Sequence, residues 1–346
     1  MLIAVCAFEL EGQSSAFQAS ASRQETNPPT VRSESTVVLV PTLVRTKSGD
    51  VVHGLSAADF IVDDDGVAQS VRIADSPDVE PLSLVVAVQV GRTAVLELGP
   101  SNDADGSKTS SSAEAPLSGL GDMLQAFAGE AKADVAVVAF DSGVRLVQNF
   151  SDDMPEVADK LDKLTPGDDG AAILDAVLYS VDLLDHRPTN GRRVLVLISE
   201  TRDHGSRVAK IENVVQEVGL SNTVVYSLAF SPTRSQVMHD LHEQPQRGAN
   251  ANLLAPLMIG ANSMRKNTAS SVARLAGGEY ATFTNARSFD GRLERFAGDD
   301  RDRYMLSFQL TNPKPGPHSI SVRMRNRDAG YIVTARNMYW SVAKGG

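Results

Sequence analysis

The 346-residue sequence predicts an α/β fold: a doubly wound, mainly parallel sheet inserted into a small antiparallel β-sandwich. Three observations predict it. Four continuous apolar runs, 84–88, 135–140, 194–198 and 224–229, read as strands buried on both faces, the habit of parallel sheets. Apolar stripes at helical spacing lie between and after these runs and supply crossover helices. Before residue 80 and after residue 300 the texture changes to short alternating strands with Gly-containing turns, which belong to antiparallel sheets.

The elements follow in order. Residues 9–35 are rich in Ser, Ala, Gln, Thr and Pro without an apolar period, and read as a disordered leader. Residues 36–44 are β-rich, Lys47-Ser48-Gly49-Asp50 makes a turn, 59–62 is a short acidic strand ending at Asp63-Asp64-Asp65-Gly66, and 67–73 alternates. Leu120, Met123, Leu124 and Phe127 form one helical stripe, and Ile173, Val177, Val181 and Leu184 a second. Val208, Ile211, Val214, Val215 and Val218 form a third. Ala269, Val272, Ala273 and Leu275 form a fourth, stopped by Gly277-Gly278. The Ser- and Asp-rich stretch 100–116 is a surface insertion, and 231–264, with its apolar patch 253–259, reads as a packed-down loop in preference to a lid. Residues 304–310, 318–325 and 331–340 return to the alternating pattern. Each arm alone has too few strands to bury a face, so the two are expected to pair. The expected division is 1–35 as leader or signal remnant, 36–79 and 301–346 as sandwich arms, and 80–300 as the α/β domain.

Composition narrows the function. With 43 acidic against 33 basic residues and a net charge of −10, the chain repels phosphate backbones, so neither nucleic acid nor membrane insertion is expected. The basic run Arg323 to Arg327 alternates like a strand with one solvated face. Cys6 is the single cysteine, which excludes an intramolecular disulfide and a thiolate metal cage. The apolar run 1–8 is too short to span a bilayer. With small residues around Ala19-Ser20-Ala21 it reads as a secretion signal, and export to the periplasm, envelope or medium is the expectation. Glu9, Glu11 and the lack of a preceding basic residue leave a cytoplasmic location open.

Six ordered motifs carry a family resemblance that spans nearly the whole chain after residue 35. They are Gly54-Leu55 with Asp59-Phe60-Ile61-Val62, Asp65-Gly66 with Gln69, Val137-Val138-Ala139-Phe140, Gly170 to Ala176, Leu275 to Tyr280, and Arg336-Asn337-Met338-Tyr339. In this order they resemble the acidobacterial type of von Willebrand factor A-related protein. The resemblance implies a metal-ion-dependent adhesion site in which three loops at the carboxyl ends of the parallel strands hold a Mg²⁺-type ion. The implied ligands are an Asp-x-Ser-x-Ser, a Thr and an Asp, whose oxygens suit a hard cation.

This sequence departs from that set at most positions. Gln89 stands for the first Asp, Gly91 for a Ser, Thr93 keeps a hydroxyl, Ala171 replaces the Thr, and Glu200 replaces the last Asp. Arg92 adds a positive charge that either pairs with Glu200 in place of the cation or is simply solvated. Asp168 and Asp169 before the second loop, and Asp203 after the third, are neighbouring acids whose ordinary role is capping. Asp175 lies in a helical first turn, where the dipole stabilises a carboxylate.

No enzyme constellation assembles. His239 and His242 at i, i+3 lack a third ligand. Asp63 to Gly66 looks like a calcium loop without its later ligands and is explained by a hairpin turn. There is no nucleophile elbow, P-loop or dinucleotide fingerprint. The expectation is a non-catalytic adhesion-type module without cofactor or metal, binding a protein partner at the carboxyl edge through the positions Gln89, Gly91, Thr93, Ala171 and Glu200. The alternatives are a scaffold whose edge is inert and a cation-dependent binder using Glu200 with nearby acids. A plugged edge would favour the scaffold.

Overall fold

The computed structural model describes residues 37–73, 80–91, 124, 126–127, 131–187, 191–230, 264–283, 286–310, 314–326 and 329–342. Two elements of the first arm open it, β1 (Val37–Arg45) and β2 (Phe60–Asp64), the latter entered through a 3₁₀ turn at Ala57–Asp59. A capping box between Ser56 and Asp59 starts that turn. The strand then reverses at Asp65-Gly66 into β3 (Val67–Ala68), and β4 (Arg72–Ile73) follows. The sequence predicts one alternating segment over 67–73. Instead the chain changes sheets within it, because β3 pairs with β2 while β4 pairs with β11 (Tyr304–Gln309).

The central sheet has six strands. In chain order they are β5 (Leu82–Gln89), β6 (Ala133–Phe140), β7 (Val144–Ser151), β8 (Arg192–Ser199), β9 (Val224–Phe230) and β10 (Tyr280–Phe283), and in space β10-β9-β8-β5-β6-β7. All neighbours are parallel except the edge pair β6–β7. The four apolar runs thus share one sheet, β5, β6, β8 and β9. Alternate residues face opposite cores. Leu84, Val86 and Val88 pack with Leu124, Phe127, Val157, Phe289, Leu293 and Phe296 on one side. Val85 and Ala87 pack with Ile173, Val177, Val181, Val214, Val218 and Val272 on the other. These strands read as unbroken hydrophobic runs because neither face meets water.

Helices cover both faces: α1 (Met154–Asp162), α2 (Ile173–Asp185), α3 (Ile211–Leu220), α4 (Thr268–Leu275) and α5 (Ala286–Arg301). All four residues of the second predicted stripe are buried in α2. In the third stripe Val208 is a correction: it precedes α3 and is 78% exposed. Gly277-Gly278 ends α4 as expected, through a Schellman motif. Gly277 has φ +78°, its N–H donates to Arg274 O, and Gly278 N–H reaches Ala273 O at 2.9 Å.

The arms do pair. One four-stranded sheet runs β13-β1-β11-β4 and the other β14-β12-β2-β3, with β12 (Gly316–Met324), β13 (Ile332–Ala335) and β14 (Met338–Ser341) from the carboxyl arm. Each sheet therefore mixes strands from both ends of the chain. Val40, Val44, Leu306 and Phe308 from one meet Phe60, Val62, Ile320 and Tyr339 from the other in a shared core. On β12, Met324 is buried, while Arg323 and Arg325 turn outward to Asp63 and the Ala58 carbonyl, as the alternating basic run predicts.

Candidate functional site

The strand order reverses between β5 and β8, so the loops leaving these strands converge at the carboxyl edge of the sheet. Gln89 is the last residue of β5 and is buried at 2% exposure. Its Oε1 accepts the Glu200 backbone N–H at 2.9 Å, and its Nε2 donates to Glu200 Oε1 at 2.9 Å and to Gly170 O at 3.3 Å. The backbone N–H can only donate, so it fixes which end of the amide faces it. The NH₂ end must then face the carboxylate. Glu200 Oε1 also meets His204 Nε2 at 2.5 Å. The acid is thus held by a neutral amide and an imidazole.

The second loop is tied down around this pair. Gly167 N–H donates to Val90 O at 2.7 Å, Val90 N–H to Phe140 O at 2.8 Å, and Ala172 N–H to Asp141 O at 2.7 Å. Ala171 is fully buried. His204 N–H donates to its carbonyl at 3.1 Å, and a Cβ at Gly205 would lie 3.0 Å from Ala171 N. The segment after β8 therefore covers the position where the resemblance implies a Thr. A side chain at Gly91 would meet the Asp168 carbonyl at 2.9 Å, tighter than a Cβ normally allows.

The neighbouring acids have backbone partners. Asp168 Oδ1 accepts from Ser142 N–H and Gly170 N–H, each at 2.9 Å. These two bonds, the Gly170 one foremost, hold its carboxyl below the usual range. Asp203 Oδ1 accepts from Leu174 N–H at 3.0 Å and from Ser206 Oγ at 2.5 Å, capping the start of α2 as expected of such an acid. Asp169 is exposed. Asp175 lies in the first turn of α2, as expected, and does more. Its carboxylate accepts the N–H groups of Arg207, Val208 and Ala209, so it anchors the loop before α3 in addition to sitting in the first turn of its own helix.

Of the predicted site residues, Gln89, Gly91, Ala171 and Glu200 come together with Asp168 and Asp203 nearby. Arg92, Thr93, His239, His242 and all of 231–264 except Met264 lie outside the described residues. His204 was missed: four residues beyond Glu200 in an irregular segment, its spacing carries no periodic signal.

Residues 103–204 match the family model described as the von Willebrand factor type A domain. Over this stretch the chain is similar to the von Willebrand factor type A domain. The matched stretch includes Ala171 and Glu200 and begins after Gln89. No curated protein sequence matches the chain. Among solved structures it is similar to BatB from Bacteroides thetaiotaomicron at 12% identity, covering 63% of this chain and 98% of that one, with a TM-score of 0.39. It is also similar to a von Willebrand factor type A protein from Catenulispora acidiphila at 9% identity, covering 89% and 74%, with a TM-score of 0.43. The PilB minor pilin from Streptococcus sanguinis is similar at 14% identity, covering 65% and 62%, with a TM-score of 0.40. Domains of the von Willebrand factor A type are in general interaction modules and not enzymes. Among the described residues no helix is long and apolar enough to cross a membrane.

Proposed function

We propose that this von Willebrand factor A domain is a non-catalytic module that binds a protein partner at the carboxyl edge of its sheet without a bridging metal ion. The observation that carries the proposal is the reciprocal Gln89–Glu200 pair. A Mg²⁺-type cation wants about six oxygens near ~2.1 Å, some of them anionic. At the positions implied by the resemblance, Gln89 turns N–H groups toward the one remaining carboxylate. Gly91 and Ala171 have no side-chain oxygen, and Ala171 is buried. The donor set does not fit such an ion.

The edge keeps what a protein partner can read: the exposed carboxylates of Asp168 and Asp169 and the exposed imidazole of His204. Capture from cell-envelope extract onto residues 36–346 tests the proposal, run in chelator and in Mg²⁺, with wild type beside an Asp169→Lys/His204→Glu variant. The proposal expects a partner retained in both buffers and lost in the variant. Loss in chelator would return the reading to a cation-dependent binder using Glu200 with Asp169 or Asp203. The burial of Gln89 and Ala171 favours a second reading, a scaffold with an inert edge, and undiminished capture by the variant would select it. The same proposal places the protein outside the cytoplasm, on the strength of the apolar run and small residues within 1–21.

A further inference from the structure

We propose a second site, remote in kind from the carboxyl edge: a first-row divalent cation of the Zn²⁺ type held by Asp64, Asp65 and His318 in the β-sandwich. The hairpin between β2 and β3 turns on Asp65 and Gly66, with φ +47° and +83°, a two-residue turn of the I′ type. The turn folds Asp65 back onto β12. Its N–H donates to Ser319 O and its Oδ1 accepts Ser319 N–H, each at 2.9 Å, which leaves Oδ2 free of these bonds.

His318 stands on β12 two residues from the Ile320–Asp64 pairing. It is 7% exposed and stacks on Tyr339, with ring centroids 4.7 Å apart and planes 12° off parallel. Its Nε2 lies 2.6 Å from the Lys314 carbonyl oxygen. A carbonyl only accepts, so Nε2 carries a hydrogen, and whenever the ring is neutral Nδ1 presents its lone pair. That nitrogen is 2.9 Å from Asp65 Oδ2 and 3.6 Å from Asp64 Oδ1. Neither Nδ1 nor Asp64 Oδ1 has a hydrogen-bond partner although both are buried. His318 Nδ1 and two carboxylate oxygens thus converge.

The spacing and the surroundings both suit a metal. The three donor atoms lie within 4.8 Å of one another, compatible with an ion making bonds of about 2.0–2.2 Å. Metal-bound imidazoles usually donate their other N–H to a carbonyl, and ligating carboxylates are themselves hydrogen-bonded. Both supports exist here: Nε2 to Lys314 O, and Tyr339 OH donating to Asp64 Oδ2 at 3.0 Å. A nitrogen donor beside two carboxylates favours Zn²⁺, Co²⁺ or Ni²⁺ over Mg²⁺ or Ca²⁺. The hairpin turn that explains Asp63 to Gly66 locally is also what brings two ligands to a third some 250 residues away in the sequence. An ion here would clasp the two arms of the sandwich.

The test adds Zn²⁺, and separately Co²⁺, to untagged, chelator-treated full-length protein. The proposal expects one equivalent bound, a rise in melting temperature with Zn²⁺, and a visible Co²⁺ absorption band that Zn²⁺ displaces. His318→Gln and Asp65→Asn should lose all three, while a His239→Ala/His242→Ala variant keeps them. The Co²⁺ spectrum needs only wild-type protein, so a misfolded variant does not blunt the test. Absence of stoichiometric binding to wild type, or binding unchanged in a folded His318→Gln protein, would overturn the site and leave an imidazolium paired with two aspartates.

Discussion

Gln89 and Glu200 were legible as a pair of positions because each closes an apolar strand run, so the register of the carboxyl edge could be counted from β5 and β8. Their mutual hydrogen bonds were not legible, since a side chain's partner across a sheet depends on strand order. The structure also puts a condition on rebuilding an ion site. Gly91→Ser would push against the Asp168 carbonyl at 2.9 Å, and Ala171→Thr would need room beneath the Glu200–Ser206 segment. Gln89→Leu strands the Glu200 N–H and part of its carboxylate. Urea denaturation should show a loss of about 1–3 kcal/mol. Gln89→Asp sets a buried carboxylate against the half-buried one of Glu200 and should cost at least as much, with no recovery in Mg²⁺. A neutral result for Gln89→Leu would mean that water replaces the amide at no cost.

Among elements, α2 could be read from spacing because its buried residues recur at i, i+4 and i+8, and α4 because Ala269, Val272 and Ala273 are apolar at helical spacing. Two helices were not named in the sequence. In α1 only Val157 and Leu161 are buried, too few for a period. In α5, Phe289, Leu293, Phe296 and Ala297 do repeat helically, but Gly291, Gly298 and a run of charges dilute the stripe. The edge strand β7 has its apolar residues scattered and half-exposed, and so offers no run. The motif Arg336 to Tyr339, known in sequence only as part of a resemblance, has a mechanical role. Arg336 is buried, donates to the Val218 and Gly219 carbonyls at the end of α3, and bonds Met338 O at 2.7 Å. Burial lowers its pKa to about 10, so it stays charged at neutral pH and favours the negative end of the helix. Arg336→Met leaves these carbonyls unpaired and should lower stability by about 2–4 kcal/mol in denaturant titration. Gly277→Ala should be costly too, since its φ of +78° suits glycine and a Cβ there would approach Arg336 N to 2.6 Å.

At the scale of the molecule, 36–346 forms one compact unit, and side chains from the arms reach into the inserted sheet and helices. Arg45 at the end of β1 pairs with Glu279 at 2.5 Å and with Asp299 on α5. We propose 36–79, 80–300 and 301–346 as the structural division, and predict that 80–300 expressed alone melts well below the whole chain, having lost Arg45 and Arg336. Burial, reinforced by Glu279, raises Asp299 from 3.8 to about 6. A carboxyl whose pKa is higher folded than unfolded contributes stability that is full below about 3.8 and fades as pH rises through about 6. Asp299→Asn should therefore flatten the fall in stability between pH 4 and 6 relative to wild type, as followed by chemical denaturation. The fold was legible at this scale because strands buried on both faces leave a compositional mark, whereas the His318 cluster joins groups that only the pairing of the arms brings together. The carboxyl edge is proposed to work without a bridging ion. The direct measurement is the thermal midpoint of chelator-treated 36–346 with and without millimolar Mg²⁺. Coincident melts are expected, because a ligand bound only to the folded state must raise the midpoint. A Mg²⁺-dependent rise that Glu200→Ala abolishes would contradict it.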